Sequence, residues 1–163
     1  MELSNLLEPN LRDTHAMLQL NNEHAKETSL LVLESLNALL ESAFFVQGVD
    51  RGASALLIAL AHSASYDNPN FQWFKARRDS FVYVDRIIVS HTLRGQGVAK
   101  RMYNDLVAAA SSAGFGSIVC EVNIDPPNPI SEAFHASMGF IRIGEAAIHG
   151  GTKTVGYLEK SLA

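Results

Sequence analysis

The chain has 163 residues, 47% hydrophobic and 18% charged, which supplies one buried core and too little charge for disorder. A balance of 13 Lys and Arg against 17 Asp and Glu, net −4, disfavours nucleic acid as a partner. The one cysteine, Cys120, excludes an internal disulfide and a Cys-rich zinc site, and no apolar run approaches the roughly 20 residues of a membrane helix. The N-terminus carries no signal-peptide pattern. These bounds predict a single domain over residues 1–163, cytoplasmic and in a reducing compartment, with no membrane partner; they leave a homodimer open.

Residues 10–41 predict two helices. Leu11, His15, Leu18 and Asn22 would share a face of the first, and Leu30, Leu33, Leu36, Leu39 and Leu40 form the apolar stripe of the second. Thr28 and Ser29 stand between them as caps. Residues 43–49 and 53–61 predict a strand pair joined through Asp50-Arg51-Gly52. Residues 62–79 read as a long polar connection holding Asn68-Pro69-Asn70 and the rings of Tyr66, Phe71, Trp73 and Phe74.

Residues 81–89 form the strongest strand pattern, rich in Val, Ile, Phe and Tyr. Residues 98–113 predict a helix with Val98, Met102, Leu106 and Ala110 on one side and Gly114 after its end. A short buried strand follows at 117–122. Asn128 caps a helix that opens on Pro129 and ends at Gly139, and residues 153–160 supply a last strand. Strands 81–89 and 117–122, joined by a helix, make a right-handed crossover and are expected to be parallel. The class is α/β or α+β, with a mixed central sheet.

The chemistry concentrates at Arg94-Gly95-Gln96-Gly97-Val98-Ala99-Lys100, between the strongest strand and the clearest helix. Two glycines permit a tight turn and clear side chains from the first helical turn, whose N–H groups and dipole favour an anion, best a pyrophosphate. The loop is not a Walker A motif, which needs Gly-Lys-Ser/Thr, nor a Rossmann fingerprint, which needs a small residue where Lys100 stands. An ordinary Gly-rich turn is the plain alternative.

This loop resembles the Gln/Arg-x-x-Gly-x-Gly/Ala motif of the GNAT superfamily of N-acetyltransferases. The Ile87-Ile88-Val89 stretch precedes it at the spacing of that family's fourth strand. Downstream, Asn128-x-x-Ser131-x-x-Phe134-His135-x-x-x-Gly139-Phe140 is similar to the family's Asn-x-x-Ala-x-x-Phe-Tyr-x-x-x-Gly-Phe segment. The motifs cover residues 81–140 and the element order extends the likeness, which includes bacterial acetyltransferases, over nearly the whole chain.

The resemblance implies a GNAT-like fold with helices on both faces of a sheet splayed between its fourth and fifth strands. It implies acetyl-CoA as acyl donor, no metal, and acetyl transfer to a primary amine of a small molecule, peptide or protein by direct attack. Ile87, Ile88 and Val89 would meet the pantetheine arm and the thioester carbonyl. Residues 94–100 (Arg94, Gly95, Gln96, Gly97, Val98, Ala99 and Lys100) would hold the pyrophosphate, and Asn128 would contact the pantetheine. Glu121 is the first candidate for the base, with Asp85 as runner-up; Asp85 needs a partner in its apolar strand, while Arg86 is expected on the other face. Tyr83 occupies the position of a glutamate that serves other branches.

His135 replaces the tyrosine that usually protonates the departing thiolate, which motivates an alternative: an inactive or weakly active CoA-binding sensor or scaffold. An unrelated nucleotide-binding module is a third reading. Cys120 alternates with Glu121 and is expected in the core. The six histidines (15, 24, 62, 91, 135 and 149) show no metal-ligand spacing, and no Gly-x-Ser-x-Gly elbow occurs. Asn21, Asn22, Glu23, His24 and the 62–79 rings are candidates for the acceptor pocket. Lys75, Arg77 and Arg78 are candidates for the CoA 3′-phosphate, for an acidic acceptor, or for a solvated face.

Overall fold

A computed structural model describes residues 2–162, apart from the side chains of Lys26 and Glu27. The strands are β1 (Ser4–Asn5), β2 (Phe45–Val49), β3 (Ala55–Ala61), β4 (Val82–Val89), β5 (Ser117–Asp125), β6 (Ile141–Ile148) and β7 (Lys153–Ser161). The helices are α1 (Thr14–Glu23), α2 (Ala25–Thr28), α3 (Leu33–Ser42), α4 (Pro69–Lys75), α5 (Val98–Ser112) and α6 (Pro129–Ser137). All strands join one sheet in the order β1-β2-β3-β4-β5-β7-β6. Its pairs are antiparallel except β4 and β5, which run parallel as the crossover requires.

One face of the sheet carries Leu56, Ile58, Tyr83, Ile88, Val119 and Tyr157. It is covered by Met17 and Leu20 of α1, Leu36, Leu39 and Leu40 of α3, and Phe71 and Phe74 of α4. The other face carries Leu57, Val82, Val84, Ile118, Cys120 and Val122 beneath Val98, Met102, Tyr103, Leu106 and Ala110 of α5. The expected alternation of Cys120 and Glu121 is therefore realised, with the thiol buried in the core.

Several expectations need correction. The region 10–41 breaks at Ser29, whose φ of 86° ends α2, and α3 starts only at Leu33. Ser29 is the C-cap of α2, as expected of a residue between the helices, whereas Thr28 lies inside α2 and the N-cap of α3 is Val32. The buried face of α1 holds Met17, Leu20 and Asn21, whereas Leu11 and Leu30 are exposed. The connection 62–79 contains α4, started by Asn68, whose side chain accepts from the Asn70 and Phe71 N–H groups ahead of Pro69 at the first turn.

The sequence pattern marks neither edge strand: β1 is two exposed residues, and β6 has no continuous buried face and is interrupted by Gly144. Gly144 has a packing reason. A Cβ there would come within 2.5 Å of the Trp73 ring, which stacks on Tyr157 directly across the ladder.

Strand β4 carries the irregularity that shapes the site. Ile58 of β3 lies opposite Arg86 and Ala59 opposite Val84, so Asp85 is an extra, bulged residue. Ile87 and Val89 thereby join the α5 face with Val84, while Ile88 turns to the α1 face. The bulge also overturns the expectation that Arg86 points away from Asp85: the two side chains form an ion pair of 2.6 Å, only 5% and 2% exposed.

Candidate active site

The parallel ladder between β4 and β5 contains only Val82 opposite Ile118 and Tyr83 opposite Val119. Beyond Tyr83 the strands separate, because β5 continues along β7 while β4 continues along β3. A cleft of about 670 Å³ opens there, within the range of small-molecule sites. Val84, Ile87 and Val89 line one wall, Glu121, Val122 and Asn123 the other.

At one end lie Arg94, Gly95, Gly97, Val98, Ala99 and Lys100. The first helical bond of α5 runs from the Arg101 N–H to the Gly97 carbonyl, so the N–H groups of Val98, Ala99 and Lys100 have no intrahelical acceptor. Gly97 is the N-cap in a left-handed conformation, φ 75°, which a side chain would strain. A Cβ on Gly95 or Gly97 would meet nothing within 4 Å, so both face open space. This end fits the pyrophosphate of an acyl-CoA: exposed donors, a helix dipole and two flanking cations. Asn128 also lines the cleft; its side-chain oxygen accepts the Ser131 N–H and starts α6. The Ile88 side chain is buried in the core, which leaves its expected role to its backbone, and the Gln96 side-chain amide turns back to the Thr92 carbonyl at 3.2 Å.

Glu121 lines the cleft on the β5 wall, on the sheet face covered by α4. The Tyr83 hydroxyl donates to its Oε1 at 2.7 Å and lies 2.9 Å from Oε2, and the Asn70 amide donates to Oε1 at 2.9 Å. The Tyr157 hydroxyl in turn donates to the Asn70 carbonyl oxygen at 2.8 Å. Burial pushes the Glu121 carboxyl up to about 7; the Tyr83 and Asn70 hydrogen bonds oppose this and the Asp85 charge adds to it. Such a carboxylate is poised to take or return a proton near neutrality. Asp85 is bound by the Tyr66 hydroxyl and by Arg86, which also donates to the Asn21 side chain at 2.6 Å.

His135 is buried on α6 and also lines the cleft. Burial holds its pKa below the ordinary value, so the ring is neutral at pH 7. Its Nδ1 lies 2.8 Å from the Ser131 carbonyl and must donate there. Nε2 is then an acceptor, and the Tyr103 hydroxyl donates to it at 2.7 Å. Both ring nitrogens are engaged.

The acceptor candidates divide. Asn21 and Asn22 bond the Ser29 and Leu31 backbone, stapling the chain after α1. Phe71 and Phe74 are core residues and Trp73 stacks on Tyr157. Arg78 pairs with Glu159 at 2.7 Å, and Arg77 lies over Trp73 at 4.0 Å. Thr28, Ser29, Asn70, Ile148, His149 and Lys153 instead line the cleft. Asn70 was missed. Its signal was the Asn68-Pro69 pair, which starts a helix as Asn128-Pro129 does. Among the described residues no group of three or more His, Cys, Asp or Glu is placed to hold a metal.

A sheet opened at its parallel pair beside a glycine-bearing helix start defines an acetyltransferase scaffold, and a family model for the acetyltransferase (GNAT) family matches residues 21–140. The chain belongs to that family, whose chemistry is acetyl transfer. No curated protein matches the sequence. Similar solved structures include the ribosomal-protein-S18-alanine N-acetyltransferase of Escherichia coli, at TM-score 0.69 and 14% identity, covering 99% of this chain and 94% of that one. The ribosomal-protein-alanine N-acetyltransferase of Brucella melitensis gives TM-score 0.71 and 17% identity over 99% of both chains. An aminoglycoside 6′-N-acetyltransferase in complex with coenzyme A gives 0.71 and 11% over 100% and 98%. These identities establish a shared fold.

Proposed function

We propose that residues 1–163 act as one N-acetyltransferase domain that moves acetyl from acetyl-CoA to a primary amine by direct attack in a ternary complex. The observation that carries this reading is the juxtaposition, in one cleft, of the open N-terminal turn of α5 and the Glu121 carboxyl, which burial pushes up. The N–H groups of residues 95–100, with Arg94 and Lys100, hold the pyrophosphate. The open edge of β4 at Ile87–Val89 takes the pantetheine arm as an added strand would, and a backbone N–H there faces the developing oxyanion. The Asn128 amide group contacts the pantetheine.

Glu121 is the base. It removes a proton from the alkylammonium form that dominates at neutral pH, the freed lone pair attacks the thioester carbonyl, and as the C–S bond breaks the nitrogen loses its second proton through water to the departing thiolate of coenzyme A. With both nitrogens engaged, His135 has no N–H to offer the departing sulfur; it positions the Tyr103 hydroxyl, and the thiolate takes its proton from water. Alanine-initiated peptides and aminoglycosides join polyamines and lysine peptides on the acceptor panel, because similar folds act on such substrates. The test is thiol release from acetyl-CoA across that panel. Turnover that disappears in Glu121→Gln while acetyl-CoA binding persists supports the reading. Binding without turnover on any amine supports the sensor or scaffold.

A further inference from the structure

We infer that Asn70 is a positioning residue for Glu121: its amide and the Tyr83 hydroxyl fill Oε1, so that the proton from the acceptor amine goes to Oε2. This rests on Glu121 being the base. A carboxylate oxygen offers two lone-pair sites. Oε1 receives the Tyr83 hydroxyl at 2.7 Å and the Asn70 amide at 2.9 Å. Oε2 has the longer arm of the Tyr83 contact, at 2.9 Å, and no second side-chain donor, and a hydroxyl carries one proton. The oxygen with lone pairs to spare is therefore Oε2, and the two donors on Oε1 fix the plane in which the carboxylate faces the cleft.

Asn70 is itself held from behind. It is 9% exposed, and the Tyr157 hydroxyl donates to its Oδ1, which forces the NH₂ group toward Glu121. The Tyr157 ring is stacked on Trp73 at 4.1 Å, one turn along α4 from Asn70. The order Trp73, Tyr157, Asn70, Glu121 is thus a continuous chain of contacts from half-buried Trp73 of α4 to the cleft. Charge-favouring hydrogen bonds of this kind keep a buried carboxyl ionisable, and the Asn70 bond opposes the upward push of burial on Glu121.

The test reads Glu121 directly by carbon-13 NMR of its side-chain carboxyl against pH, with the resonance assigned through its absence in Glu121→Gln. The wild-type midpoint is expected near 7. Asn70→Leu keeps the volume and removes the donor, and should raise the midpoint by about one pH unit. Tyr157→Phe keeps the ring stack and frees the Asn70 amide to turn, and should raise it by less. An unmoved midpoint in either variant overturns the inference, and Tyr157→Phe carries the test should Asn70→Leu not fold. The pH profile of thiol release, with the best amine of the acceptor panel, should follow the midpoint upward, and Asn70→Leu should cost nothing further in Glu121→Gln. A midpoint that moves while the rate profile stays in place would instead remove Glu121 as the base.

Discussion

Glu121 sits near neutrality because burial, helped by the Asp85 charge, outweighs the hydrogen bonds from Tyr83, Asn70 and its own backbone that favour its charge. Its folded value lies above the ordinary carboxyl value of 4.5, so its contribution to stability is full below that pH and is lost as pH rises through about 7. Glu121→Gln should therefore be more stable than wild type above pH 7, by up to about 3 kcal/mol, and equal to it at pH 4. Chemical denaturation at the two pH values measures this. The same substitution should lower kcat/KM at least about 100-fold, and the wild-type rate should fall as pH drops below about 7.

Tyr103→Phe removes the donor to His135 and leaves a buried Nε2 unpaired, at a cost of about 1–3 kcal/mol in the same denaturation experiment. Single residues differ in how far the sequence shows them. Glu121 was legible from the resemblance and its place in the strand. Its partner Asn70 was not, because hydrogen bonds between residues 51 positions apart leave no local pattern.

At the scale of elements, periodicity reveals the strands and helices with a continuous buried face, such as β4 and α5, and does not reveal β1, β6 or α4. Strand β6 is an edge in which exposed and half-buried residues do not alternate cleanly, with Ile141 itself exposed. Helix α4 is seven residues long, too short for the 3.6-residue repeat to show. The Asp85 bulge was equally hidden: one extra residue inverted the faces of Ile87, Ile88 and Val89 without altering composition.

Two substitutions test the elements around the cleft. Gly97→Ala places a side chain at φ 75° and should cost about 1–2 kcal/mol while weakening acetyl-CoA binding, both readable by thermal shift with and without ligand. Gly144→Val drives a Cβ into the Trp73 ring and should destabilise by about 1–3 kcal/mol, moving Trp73 off Tyr157 with a change in tryptophan fluorescence.

Across the whole molecule, two separate cores lie on either side of one sheet. Strand β4 is tied to β3 over its full length and β5 to β7 over its own, so the two part after a pair of shared rungs. The opening is a consequence of strand pairing and needs no ligand to create it. Ligand binding should then stabilise the fold rather than reorganise it: acetyl-CoA at 100 times its Kd adds about 2.7 kcal/mol, a rise in Tm of roughly 5–10 °C for a chain of this size, whereas ATP or NAD should do little.

The most direct measurement is a crystal structure grown with acetyl-CoA. The account predicts the diphosphate on the amides of residues 95–100, the pantetheine threaded between β4 and β5, and the thioester beside Glu121. A diphosphate seated elsewhere, or a thioester emerging on the far side of the sheet from that carboxylate, would contradict it.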